Sequence, residues 1–312
     1  MRRWRLRRRC ALRRSIARMS QRILITGAAR GIGAESARRL AARGHRLALL
    51  GLEPAQLQAV AADCGGGALA LEADVTDRDA LRDAVARAAA ELGGLDVVMA
   101  NAGIGNGAPV LGGDADLWEK VVDVNLLGAY RTVQAALPHV VASRGYVLTV
   151  ASMAALVHAP MMSAYSASKA GVEAFSNALR IEVAHRGVEV GVAYFSWIDT
   201  EMVRGIADHA ALTRLRSRLK PPFGRTYPLA DAADAVVRGI EQRSRIVVAP
   251  RWVRPLLTVR SLLQPAGERD ARKAWPEAER LFEQEVAERG PAASAPTGAG
   301  GGAAALQEPA TR

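Results

Sequence analysis

The stretch "ILITGAARGIG", residues 23–33, decides how this chain folds. An apolar run passes without a break into glycines at 27, 31 and 33. A strand that ends in a glycine turn and re-enters as a helix aims free amides and the positive end of the helix dipole at whatever lies beyond the strand, and that arrangement attracts phosphate. The spacing is Gly-x-x-x-Gly-x-Gly, not the commoner Gly-x-Gly-x-x-Gly. Glycine turns of this kind also serve as plain connectors, so the rest of the chain has to decide.

Moving outward, short apolar runs alternate with amphipathic segments: "ILIT" (23–26), "RLALL" (46–50), "ALALEA" (68–73), "LDVVMA" (95–100), "GYVLTVAS" (145–152), "VEVGVAYF" (188–195) and "RIVVA" (245–249). Helical patterns fill the intervals, most clearly 77–92, 115–143 and 163–186. Apolar strands separated by helices indicate a parallel sheet covered on both faces. The expected fold is α/β: a doubly wound, Rossmann-like parallel sheet of about seven strands forming a single domain over 21–250. A charged helical extension is expected over 251–290, followed by a disordered low-complexity tail at 291–312.

Charge narrows the partners. The chain has 312 residues and a net charge of +11, but the first 20 hold nine arginines and no acid, and without those nine charges +2 remains. A nearly neutral body does not indicate a nucleic-acid face. The leader, 1–20, resembles an organelle presequence or a membrane-surface helix, while "MSQRILITG" from Met19 is also a natural opening for the first strand. Cys10 and Cys64 form no CxxC pair and the five histidines are scattered, so no metal site is expected. No apolar run is long enough to span a bilayer, and a cytoplasmic setting is the default. Contact with a lipid surface is a second reading for "RWVRPLLTVRSLL", where Trp252, Leu256, Val259 and Leu263 recur at helical spacing among arginines.

One segment asks for chemistry. In "SAYSASKAGVEAF", residues 163–175, Tyr165 stands four residues before Lys169, and only four of the 42 basic residues are lysines. A lysine one helical turn from a tyrosine supplies a compact charge that stabilises phenolate. Moving a hydride to or from a carbonyl carbon requires a proton to move at oxygen, which a tyrosine near pH 10 cannot easily accept unaided. Ser152 ends the fifth strand 13 residues earlier, where its hydroxyl can donate to a substrate oxygen. In an open parallel sheet the carboxyl ends of the strands share one crevice, which brings Gly27, Asp74, Asn101 and Ser152 together.

With these motifs in order, the chain resembles the short-chain dehydrogenase/reductase family, in its form with Thr-Gly-x-x-x-Gly-x-Gly and Tyr-x-x-x-Lys, over about residues 22–250. The resemblance implies Asn125, Ser152, Tyr165 and Lys169 as the catalytic set, with Asn125 holding a water linked to Lys169. It implies cofactor contacts from Gly27, Arg30, Gly31, Ile32, Gly33, Asp74, Val75, Asn101, Ala102, Gly103, Ile198 and Thr200, and assembly as a homodimer or homotetramer. NADP(H) is favoured over NAD(H), because Gly51 and Leu52 stand where an NAD enzyme carries an acid, and Arg30 can meet a 2′-phosphate. "FSWIDT" puts Phe195-Ser196 where the family commonly has Pro-Gly. The aliphatic stretch Met153–Met162 suggests a small lipophilic alcohol or ketone as substrate. The alternative is a cofactor-binding sensor or scaffold without turnover.

Overall fold

The computed structural model describes residues 20–65 and 67–297. All of the leader except Ser20 lies outside them, as do residues 298–312 of the tail. Among the described residues there are seven strands: β1 Arg22–Thr26, β2 Arg46–Gly51, β3 Leu69–Glu72, β4 Val97–Ala100, β5 Tyr146–Val150, β6 Glu189–Phe195 and β7 Ile246–Ala249. They form one parallel sheet in the order β3-β2-β1-β4-β5-β6-β7. Strand order reverses between β1 and β4, and a crevice opens beyond the strand ends at such a point.

Alternation along the strands builds two cores. Leu24, Leu50, Val98 and Val147 face one layer, made of α3 (Arg78–Leu92), α4 (Ala115–Val122), α5 (Gly128–Ala142) and α6 (Ser163–Glu182). Ile23, Leu49, Val97 and Leu148 face the other, made of α1 (Gly31–Ala41), α2 (Pro54–Asp63) and α9 (Leu229–Glu241). Both strand faces are covered, which is why these strands read as unbroken apolar runs. Helix ends follow local chemistry: the Asp77 carboxylate accepts from the amides of Asp79 and Ala80 at the start of α3, and Gly93, in the left-handed region, closes it.

Two short helices, α7 (Glu201–Arg204) and α8 (Ala210–Ser217), follow β6, and α10 runs unbroken from Val253 to Arg289. Val253 and Leu256 are buried in the main core, and the Trp252 indole donates to the Tyr227 hydroxyl at 2.8 Å. The apolar face expected at a lipid surface is therefore turned into the domain, and the Leu263 side chain lies outside the described residues. Among the described residues no helix is long and apolar enough to cross a membrane. The tail also departs from expectation. Residues 290–294 form a 3₁₀ turn, and Ala293, Ser294 and Thr297 are buried against the domain. Low apolar content suggested disorder, but small residues gain their burial from close approach rather than from bulk.

Candidate active site

The glycine loop is fixed by what surrounds it. Gly27 and Gly31 adopt left-handed backbone (φ 64° and 55°), and a Cβ on Gly33 would sit 2.3 Å from the Gly27 carbonyl oxygen. Asn101, just past β4, donates from its amide to the carbonyls of Thr26 (3.0 Å) and Gly27 (3.1 Å), while the Thr26 hydroxyl accepts from the backbone of Asn101 and Ala102. A Cβ on Gly27 would lie 2.7 Å from the Ala102 Cα, so only glycine lets the loop cross β4 this closely.

One cavity runs from this loop across the strand ends. Its wall includes Gly27, Arg30, Gly31, Ile32, Asp74, Val75, Asn101, Ala102, Gly103, Ser152, Tyr165, Lys169, Ile198 and Thr200. Of the residues expected at the site, Gly33 and Asn125 stand behind the wall and support it. Asn125 is 1% exposed and lies on a π-turn, Asp123–Leu127, between α4 and α5. Its Oδ1 accepts from the Ile104 amide (2.8 Å), and its Nδ2 donates to the Ile104 carbonyl (2.9 Å) and to Ser168 Oγ (3.1 Å). With both amide hydrogens committed, its side chain braces the β4 loop against α6 and has none left to donate to a water.

Lys169 is 4% exposed, and its Nζ donates to the Val150 carbonyl at 2.9 Å. Burial pushes its pKa down to about 8. The ammonium lies 5.7 Å from the centre of the Tyr165 ring. Burial raises the Tyr165 phenol, opposed by a hydrogen bond from Ser152. As folded, Tyr165 is thus held as a neutral proton donor beside the Lys169 cation. Ser152 also accepts from the Ala154 amide at 3.1 Å, which fixes its hydroxyl at the end of β5. On α6 a Cβ at Gly171 would meet Leu126 at 2.8 Å, so glycine lets the helix lie close to the π-turn.

At the far end, the Arg30 guanidinium is held by two carboxylates, Glu53 (2.9 Å) and Glu201. Glu53 follows β2 and Glu201 opens α7, next to Thr200, whose hydroxyl caps that helix. Sequence reasoning missed Glu201 as a partner of the glycine loop, because 171 residues separate it from Arg30. It also missed Thr297, which reaches the cavity from the tail. Phe195 and Ser196 line the cavity where the unusual "FS" was noted, whereas Leu156 and Met161 are used in packing. Among the described residues no cluster of three or more His, Cys, Asp or Glu can hold a metal ion.

The short chain dehydrogenase family matches residues 21–211, more than half of the chain. The chain is 35% identical over 217 residues to cis-4-hydroxycyclohexanecarboxylate dehydrogenase of Sinomonas cyclohexanicum, covering 68% of this chain and 86% of that protein. It is 30% identical over 214 residues to 3-oxoacyl-[acyl-carrier-protein] reductase of Escherichia coli, with the same coverages. A short-chain type dehydrogenase/reductase from Mycobacterium marinum superposes with a TM-score of 0.67 at 30% identity, covering 73% of this chain and 93% of the other. Levodione reductase superposes with a TM-score of 0.66 at 25% identity, covering 73% and 95%. By family match, identity and superposition alike, the chain belongs to the short-chain dehydrogenase/reductases and is an NAD(P)-dependent oxidoreductase.

Proposed function

We propose that the protein transfers a hydride between a nicotinamide cofactor and a small lipophilic secondary alcohol or ketone, with Tyr165 moving the proton. The observation that carries the reading is the convergence of Ser152, Tyr165 and Lys169 on the cavity that also holds the glycine cradle. The cradle suits a dinucleotide pyrophosphate, since its close approaches leave no room for side chains and the first amides of α1 open toward it. A nicotinamide cofactor supplies or accepts the hydride when bound. The chain's own groups do the rest. Ser152 donates to the substrate oxygen, neutral Tyr165 gives that oxygen its proton in the reducing direction, and Lys169 keeps a positive charge beside the phenol. One Nζ hydrogen is used on Val150; two remain for ribose hydroxyls.

The expected order of cofactors changes on physical grounds. The preference for NADP(H) rested on Gly51 and Leu52 standing where an acid would be, and on a free Arg30. With Glu53 and Glu201 both on that guanidinium, a 2′-phosphate has to displace one carboxylate and lie against the other, whereas Glu53 is an acceptor suited to the ribose hydroxyls of NAD(H). We read the site as taking NAD(H) more readily, with NADP(H) admitted at the expense of the Arg30–Glu201 pair. A lipophilic substrate is supported by Phe195, Ile198, Met202 and Val203 in the cavity that the catalytic groups line, and by a relative named for a hydroxyl on a cyclohexane ring. Assembly as a homodimer or homotetramer is part of the proposal, supported by Leu127 and Tyr130 partly exposed on one helical face.

The test is oxidation of NADH and NADPH with a panel of ketones, in parent and Tyr165→Phe. The expected result is turnover in the parent and a loss of at least a hundredfold in Tyr165→Phe, with cofactor affinity within threefold. Cofactor binding without turnover of any ketone would favour the sensor or scaffold reading.

A further inference from the structure

The C-terminal extension returns to the site after leaving it. Val253 and Leu256 anchor the start of α10 in the main core, while Ala278 and Phe282 near its other end pack with Met161, Ile206 and Leu212 on the substrate side. Glu285, nearly fully buried, accepts the Ala210 amide at the head of α8, and Arg289 donates to the Asp208 carbonyl at 2.8 Å. The chain then turns at Gly290 (φ 59°) and runs back as a strap. Ala293 closes the same apolar cluster. Along the strap, Thr297 donates its backbone N–H to the Gly105 carbonyl at 2.8 Å.

That contact stands at the catalytic end. A Cβ on Gly103 would lie 3.3 Å from Lys169 Nζ, and one on Gly105, two residues on, would lie 3.1 Å from Thr297 Oγ1 and 3.4 Å from Met202 Sδ. Thr297 lines the same cavity as Ser152, Tyr165 and Lys169. The strap lies well past residue 211, where the match to the family ends.

We propose that the strap Ala293–Thr297 is a wall of the substrate pocket and that Thr297 sets the upper size of the substrate, restricting the enzyme to compact apolar ketones and alcohols. This rests on the hydride-transfer reading above. A wall so placed also excludes water from the reacting oxygen, which strengthens the hydrogen bonds made there.

Two measurements on the full chain test it. The first is oxidation of a Gly105→Cys, Thr297→Cys double variant, followed by peptide mass spectrometry. The close approach of the two positions predicts a 105–297 disulfide, and its absence under oxidation overturns the wall. The second is reduction of methyl ketones from 2-butanone to 2-decanone by the parent, Thr297→Gly and Thr297→Trp. The long ketones should gain about tenfold in kcat/KM in Thr297→Gly and lose about tenfold in Thr297→Trp, with the cofactor KM within twofold; a methylene in a tight pocket carries this order of discrimination. Turnover with the same length profile in all three proteins overturns the proposal. If the parent reduces no ketone, the hydride-transfer reading fails, and the disulfide result decides the wall alone.

Discussion

Replacing Lys169 by methionine should abolish activity and stabilise the fold. The ammonium is 4% exposed and burial lowers its pKa from 10.5 to about 8, so the folded protein binds this proton less well than the unfolded chain does. Each pKa unit corresponds to about 1.4 kcal/mol, so the charged lysine costs the fold about 3 kcal/mol at pH 7, where both states are protonated. Between pH 8 and 10.5 the folded state has lost the proton and the unfolded state still carries it, so stability rises with pH and roughly half the cost is relieved by pH 9.5. Lys169→Met removes the cost at every pH, at the expense of one hydrogen bond to the Val150 carbonyl, worth about 1 kcal/mol net. The expected gain is about 2 kcal/mol at pH 7, shrinking to near zero by pH 9.5. Urea unfolding of both proteins at pH 7, 8, 9 and 9.5 reads this directly, and the difference between them cancels the buried tyrosines, which titrate higher. Parallel stability curves across that range would refute the claim that Lys169 is held charged against its own desolvation.

Other outcomes follow from the same site. In the reducing direction, kcat/KM for the cofactor should be flat near pH 7 and fall as pH rises through about 8, because the Lys169 ammonium is then lost; a pH-rate profile level to pH 10 would contradict this. Gly33→Ala places a methyl 2.3 Å from a backbone carbonyl. It should cost about 2 kcal/mol of stability, and calorimetric titration should show cofactor affinity falling at least tenfold. Asn125→Ala leaves the buried amide and carbonyl of Ile104 without partners. A loss of about 3 kcal/mol is expected in chemical unfolding, and a loss under 1 kcal/mol would mean that the π-turn holds without that brace.

Much of the fold could be read in advance, because each strand is covered on both sides and leaves a continuous apolar run, as in Ile23–Thr26 and Tyr146–Val150. The catalytic helix was legible for a similarly local reason: Tyr165 and Lys169 lie one turn apart on a face of small residues, so spacing alone brings them together. What escaped was long-range. Arg30 is paired with Glu53 and with Glu201, and nothing near residue 30 signals either partner. The π-turn at Asn125 was read as plain helix, since one extra residue per turn hardly alters an apolar pattern. Thr297 was assigned to disorder by composition, although its burial depends on a hydrogen bond to Gly105 that composition does not encode.

The pinning of the glycine loop by Asn101 bears on how tightly a dinucleotide can be held. Fixing the backbone of a residue costs about 1–2 kcal/mol of conformational free energy, and a flexible loop meets that cost at the moment of binding. Here the two carbonyls of Thr26 and Gly27 are tied to Asn101 during folding, so the loop from Gly27 to Gly33 is already in place when the ligand arrives. The attraction of its amides for phosphate is then expressed as affinity instead of being consumed in ordering the loop.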